Sequence, residues 1–282
     1  MRWKGRRGSR NIEDRRGRRG GGRTGIGGVS GLGLVVVLVL GYFLGIDVSP
    51  FLQSDAVPRQ TEAVTADAER EAAFVSVVLA DTEEIWAQVF RQQLGAEYRP
   101  ATLVLYSGVT QSPCGGASGA TGPFYCPADK KAYLDTAFFT TMAERLGAGG
   151  DFAAAYVVAH EIAHHVQNEL GILGQANRLR GQVSQVESND ISVRLELQAD
   201  CFSGLWARYA QERFNSLERG DLTEALRAAR QIGDDTLQRN AGRVPMPHTF
   251  THGTSEQRVR WFTIGYEQAD LRACDTFGTR TL

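Results

Sequence analysis

The 282-residue sequence has five histidines and four cysteines, and it shows no internal repeat. Without a repeat, solenoid and propeller architectures are excluded. The eleven residues between Cys114 and Cys126 do not match a zinc-ribbon spacing, so a structural zinc at those cysteines is excluded. No A-x-A-like cleavage site follows the apolar stretch near the N-terminus, which argues against a removable signal peptide. Formal net charge is only −1, but it is unevenly spread: residues 1–23 hold ten Lys/Arg and two Asp/Glu, a local net of +8.

Three of the five histidines fall in residues 151–170, DFAAAYVVAHEIAHHVQNEL, which contain the pattern H-E-x-x-H from His160 to His164. Residues i and i+4 share a helix face, so His160 and His164 can address one ion. Glu161 lies about 100° round the helix from His160, where it can reach a metal-bound water instead of the metal. Gly149 and Gly150 break the chain before this stretch, Asp151 is a candidate N-cap, and Gly171 can close the C-terminus. No charge occurs between Phe152 and Ala159, so burial on most sides is expected. A third histidine at the H-x-x-G-x-x-H positions is missing, because Gln167 and Leu170 stand there, and a metzincin is excluded. His165 points about 100° away from His164 and is read as a core or supporting residue.

A second helix is predicted over residues 189–213. Catalytic zinc takes three protein ligands, and Glu196 in this helix would complete a His₂Glu set. Asp200, one turn on, could accept the free N–H of a ligating histidine. Both carboxylates sit among Leu195, Leu197, Ala199, Cys201, Phe202 and Leu205, where a charge needs a partner. His252, in a loop at a helix start, is the first candidate for donating to a developing oxyanion. Tyr156, one turn before His160, is the second.

Residues 24–46 carry no charge. At about 1.5 Å per residue they could cross a bilayer of about 30 Å. The basic tail before them predicts a single-pass protein with residues 1–23 cytoplasmic, a transmembrane helix at 24–46, a linker at 47–66 and an extracytoplasmic domain at 67–282. Nucleic-acid binding by the tail is disfavoured by the span that follows. All four cysteines lie beyond the span, so disulfides Cys114–Cys126 and Cys201–Cys274 are expected, with free thiols as the alternative.

Further helices are predicted at residues 67–94, 136–146, 222–231 and 255–269. A strand is predicted at 101–106, and an edge strand or hairpin at 123–134, broken by Pro127. Residues 111–122, 175–187 and 239–254 are expected to be irregular or polar connections. A few strands ahead of a run of helices argue an α+β fold, mostly helical with a small sheet.

In this order, SPCG, FYCP-x-D-x-x-x-YLD, HE-x-x-HH-x-Q, ELQAD, HG-x-S-x-QR and CDTF resemble the bacterial neutral zinc metallopeptidases of the membrane-anchored kind. The resemblance covers residues 70–282 and the tail architecture. It implies a zincin-like fold, Zn²⁺ held by His160, His164 and Glu196, and Glu161 as general base. The activity expected is hydrolysis of peptide or unfolded-protein substrates. The alternative is a non-catalytic metal-binding scaffold.

Overall fold

The computed structural model describes residues 1–17, 65–118 and 122–282. Apolar residues at helical spacing form α1 (Ala66–Val89), capped by Thr65, whose hydroxyl accepts from the Ala68 amide at 3.1 Å. A π-turn (Phe90–Leu94) ends at Gly95 in the left-handed region. Strands β2 (Thr102–Tyr106), β3 (Val109–Ser112), β4 (Gly115–Ser118), β5 (Phe124–Cys126) and β6 (Lys131–Asp135) follow. The rest of the chain is helical: α2 (Ala137–Leu146), α3 (Asp151–Glu169), α4 (Ile172–Arg180), α5 (Gln185–Phe214), α6 (Asp221–Gln231), α7 (Asp234–Asn240) and α8 (Ser255–Gln268). The expected α+β class, mostly helical with a small sheet, is what the chain adopts.

With β1 (Ile12–Asp14), the main sheet runs β1-β2-β6-β5. The first three strands are parallel, and β5 pairs antiparallel to β6 with Phe124 opposite Tyr133. Residues 123–134 therefore contain a hairpin whose second strand is internal, and of its two strands only β5 lies at a sheet edge. A separate hairpin, β3–β4, occupies the glycine-rich stretch, where small residues show no alternation to mark strands. Helix α4 fills much of the stretch expected to be a polar connection, because burying only Leu173 and Ala176 suffices to seat it.

Helix α3 touches α1, α4, α5 and α6 and strands β5 and β6, so it is the central element. Its uncharged first turns are buried as expected, and Gly171 follows it with φ +77°. Its N-cap is Gly150, not Asp151. The Phe152 amide instead donates to Glu224 at 3.1 Å, while Asp151 accepts from Trp3 Nε1 at 3.1 Å. Helices α5 and α8 cross with their backbones in contact. A methyl group on Gly204 would strike the Phe262 carbonyl, and one on Gly265 the Cys201 carbonyl. Both disulfides pair as expected, Cys114–Cys126 and Cys201–Cys274.

The predicted single-pass topology is overturned. It requires the basic tail and the domain to lie on opposite sides of a bilayer, yet residues 1–17 are packed on the domain. Strand β1 pairs with Leu103–Leu105, through Leu103 N–H to Asn11 O at 2.8 Å and Arg15 N–H to Leu105 O at 2.7 Å. Arg6 grips Asp81 with two bonds of 2.7 and 2.5 Å, and Asn11 donates to Glu83 at 2.8 Å. Part of the positive charge that reads as a cytoplasmic signal, at Arg6 and Arg7, is matched here against carboxylates of α1. Among the described residues no helix is long and apolar enough to cross a membrane. The predicted span at 24–46 and most of the predicted linker at 47–66 lie outside the described residues.

Glu13 shows how the tail is held. It accepts from Arg15 at 2.9 Å and Lys131 at 2.7 Å, and these bonds lower its pKa to about 2. A carboxyl depressed on folding contributes stability above its unfolded pKa of about 4.5, and that stability is lost as pH falls towards 2. Glu13→Gln should therefore destabilise the chain by about 1 kcal/mol at neutral pH, after allowance for solvent screening of a partly exposed pair. The difference should shrink as pH falls from about 4.5 towards 2. Denaturant midpoints of both proteins across pH 7 to 3 would check this; a pH-independent difference would contradict it.

Candidate metal centre

Helix α3 places His160 and His164 on one face, with ring centroids 4.9 Å apart. Helix α5 starts at a capping box, Ser184 with Glu187, and its middle brings Glu196 opposite them. Glu196 Oε2 lies 3.0 Å from His160 Nε2, and Oε1 lies 3.5 Å from His164 Nε2. One donor atom from each of the three residues lies within 4.8 Å of the other two. The site's three expected ligands are thus together.

The outer ring nitrogens are engaged elsewhere. His160 Nδ1 meets Asp200 Oδ1 at 3.0 Å, and His164 Nδ1 meets Gln167 Oε1 at 2.9 Å. This leaves both Nε2 atoms directed at Glu196, a donor set of two imidazoles and one carboxylate that fits a zinc ion. Burial works against charge on Glu196 and His160. For Glu196 it is outweighed by His164, His160 and His252, which hold the carboxyl well below its ordinary range. For His160 it is outweighed by Asp200 and Glu196, and its pKa rises to about 10. Two carboxylates around one imidazole demand a positive charge at this point, supplied by a proton or a metal.

Asp200 is fully buried. Besides His160 it accepts from the Tyr156 hydroxyl at 2.5 Å and from Arg258 at 2.8 and 3.0 Å. Arg258, on α8, is 2% exposed and also reaches the Tyr156 hydroxyl at 3.2 Å. Tyr156 is therefore spent on Asp200 and does not face a cleft. His165 is buried away from Glu196, between the Arg99 carbonyl at 2.7 Å and the Tyr125 hydroxyl at 3.0 Å.

His252 is 47% exposed. Its loop is shaped by Asp234 at the start of α7, which accepts backbone N–H bonds from Thr251, His252 and Gly253 at 2.7, 2.6 and 3.1 Å. A methyl group on Gly253 would come within 3.3 Å of Leu197 and Val193, so the loop lies against the stretch of α5 that bears Glu196. The His252 ring faces Asp234 at 3.3 Å. Desolvation opposes its charge, but Asp234 and Glu196 prevail and its pKa is raised. Glu161 is half-buried, and burial pushes its pKa up against the pull of the two histidines.

Arg258, Asp234, Gln167 and Gln198 escape a reading by pattern. Arg258 and Gln167 do fall within the HG-x-S-x-QR and HE-x-x-HH-x-Q blocks, and Gln198 within ELQAD, so motif membership was the one available signal.

Residues 1–277 match the family described as "Putative neutral zinc metallopeptidase". The chain belongs to this family. It is 47% identical to the uncharacterized protein YpfJ of Escherichia coli strain K12, over 99% of each chain. It is 43% identical to the uncharacterized protein Rv2575 of Mycobacterium tuberculosis, over 77% of this chain and 74% of that one. No solved structure matches. The match includes residues 1–17, the segment that supplies β1.

The Asp200–Arg258 pair should be strongly coupled. Arg258→Met leaves a buried carboxylate short of its counter-charge and should cost about 3–5 kcal/mol. Adding Asp200→Asn removes that charge and should recover part of the loss. Urea midpoints of the two single variants and the double variant would measure this, and strict additivity would refute the coupling.

Proposed function

We propose that this chain is a zinc-dependent endopeptidase with a zincin-like fold, acting on peptides or unfolded proteins. The observation that carries the reading is the convergence of both Nε2 atoms of H-E-x-x-H on Glu196, with each Nδ1 tied back by a separate partner. Zinc held by His160, His164 and Glu196 would lower the pKa of a water molecule towards neutrality and polarise the scissile carbonyl.

The chain's own residues account for the rest. Glu161 adjoins the ligands without sharing their face, and its raised pKa suits a group that takes a proton from water and then gives it to the leaving amine. The water oxygen bonds to the carbonyl carbon, the C–N bond breaks, and the proton ends on the amine. His252, kept cationic to higher pH by Asp234, donates to the carbonyl oxygen as negative charge grows there. Strand β5 packs against α3 and, among the described residues, lies at an edge of its sheet. An extended substrate can add to that edge through main-chain bonds.

Glu161→Gln keeps the size and some hydrogen bonding but cannot accept a proton at neutral pH. Turnover of an unfolded substrate such as casein should fall about 10²–10⁴-fold, with zinc content unchanged. His164→Ala should lose the metal as well. Paired assays of zinc content and cleavage rate would test both. Near-normal cleavage by Glu161→Gln would refute the base assignment, and a zinc-loaded wild type inert to every unfolded substrate would favour a metal-binding scaffold.

A further inference from the structure

Gln167 and Gln198 have no part in the proposed reaction, yet they are 0% and 4% exposed. Gln198 Nε2 donates to the Cys274 carbonyl at 3.0 Å. A carbonyl oxygen only accepts, so this bond fixes the Gln198 amide and turns its Oε1 towards Gln167. Gln167 Nε2 donates to that oxygen at 3.1 Å and to the Leu195 carbonyl at 2.7 Å. Gln167 Oε1 is then the atom that faces His164 Nδ1, 2.9 Å away. This oxygen cannot donate, so the shared proton sits on Nδ1. Every bond in the chain has its direction dictated from the Cys274 carbonyl. Cys274 is itself joined by a disulfide to Cys201, the residue after Asp200.

We propose that Gln167 and Gln198 form a positioning relay that holds His164 with Nδ1 protonated and Nε2 bare towards Glu196, anchored at its far end by the Cys201–Cys274 disulfide. The neighbouring histidine is set the opposite way. His165 Nε2 faces the Arg99 carbonyl and must donate, so Nδ1 accepts from the Tyr125 hydroxyl. Adjacent residues of one helix thus carry opposite tautomers. The relay also explains a difference between the two ligating histidines. His160 is backed by a carboxylate, whereas His164 is backed by a neutral amide, which fixes the ring without adding a further buried negative charge beside Asp200 and Glu196. Its effect on metal affinity rests on the zinc reading; the tautomers do not.

The test uses the full chain with ¹⁵N-labelled histidine. In the metal-free wild type at mildly alkaline pH, nitrogen–proton correlation spectra should show His164 protonated at Nδ1 and His165 at Nε2. Gln167→Met should erase the Nδ1 preference of His164, leave His165 unchanged, and weaken zinc binding about 10- to 100-fold in competition with a chromogenic chelator. Gln198→Met, and separately the paired Cys201→Ala and Cys274→Ala changes, should each weaken zinc less. Either one added to Gln167→Met should weaken it no further. Gln198→Met carries the test if Gln167→Met fails to fold. An unchanged His164 tautomer with unchanged zinc affinity in the glutamine variants overturns the relay. A full additional loss from the cysteine changes on the Gln167→Met background overturns the disulfide anchor. A wild type that binds no zinc defeats the metal reading alone, because the tautomers are read without metal.

Discussion

One buried carboxylate ties the site to the fold. Asp200 sits on α5, receives His160 and Tyr156 from α3, and receives Arg258 from α8. A charge removed from water on this scale is tolerated only with hydrogen bonds on every side and a counter-charge in contact. The three helices must therefore reach their final packing before Asp200 is satisfied, and the orientation of His160 is fixed by the same event. Folding of the helical layer and assembly of the candidate metal centre are one process at this point.

The close crossing of α5 and α8 is what lets Arg258 reach inward. Side chains at Gly204 and Gly265 would force the helices apart, and the guanidinium would draw away from both Asp200 and Tyr156. On the other flank, the Cys201–Cys274 disulfide and the Gln198 bond hold the C-terminal turn to α5. The ligand helix is thus braced just C-terminal to Glu196 by two contacts, one electrostatic and one covalent.

Much of this centre is legible in the chain as a string of residues, and the reason is helical periodicity. His160 and His164 fall four apart, as do Glu196 and Asp200, and each pair must share a face wherever helix forms. The apolar residues around Glu196 and Asp200 mark them as buried and so in need of partners. Arg258 is invisible by the same reasoning. It lies in a segment, SEQRVR, whose polar residues suit an exposed helix start, and only the tertiary crossing buries it. Asp234 lies eighteen residues before His252 and meets it through a loop, which has no period to read. The basic tail misled for a different cause: clustered arginines describe charge, not whether the matching charge is a lipid headgroup or the protein's own carboxylates.

Strand β1 has a bearing on how the chain is made. Ile12 pairs with Leu103, and Asn11 hydrogen-bonds across the same distance in sequence. The ribosome releases the tail first and supplies its partner strand about 90 residues later, a delay on the order of ten seconds at about 5–20 residues per second. Through that interval the outer strand of the sheet exists without a sheet. The tail is thus held unpaired until β2 emerges, and the parallel pairing that then fixes it closes a loop of about 90 residues.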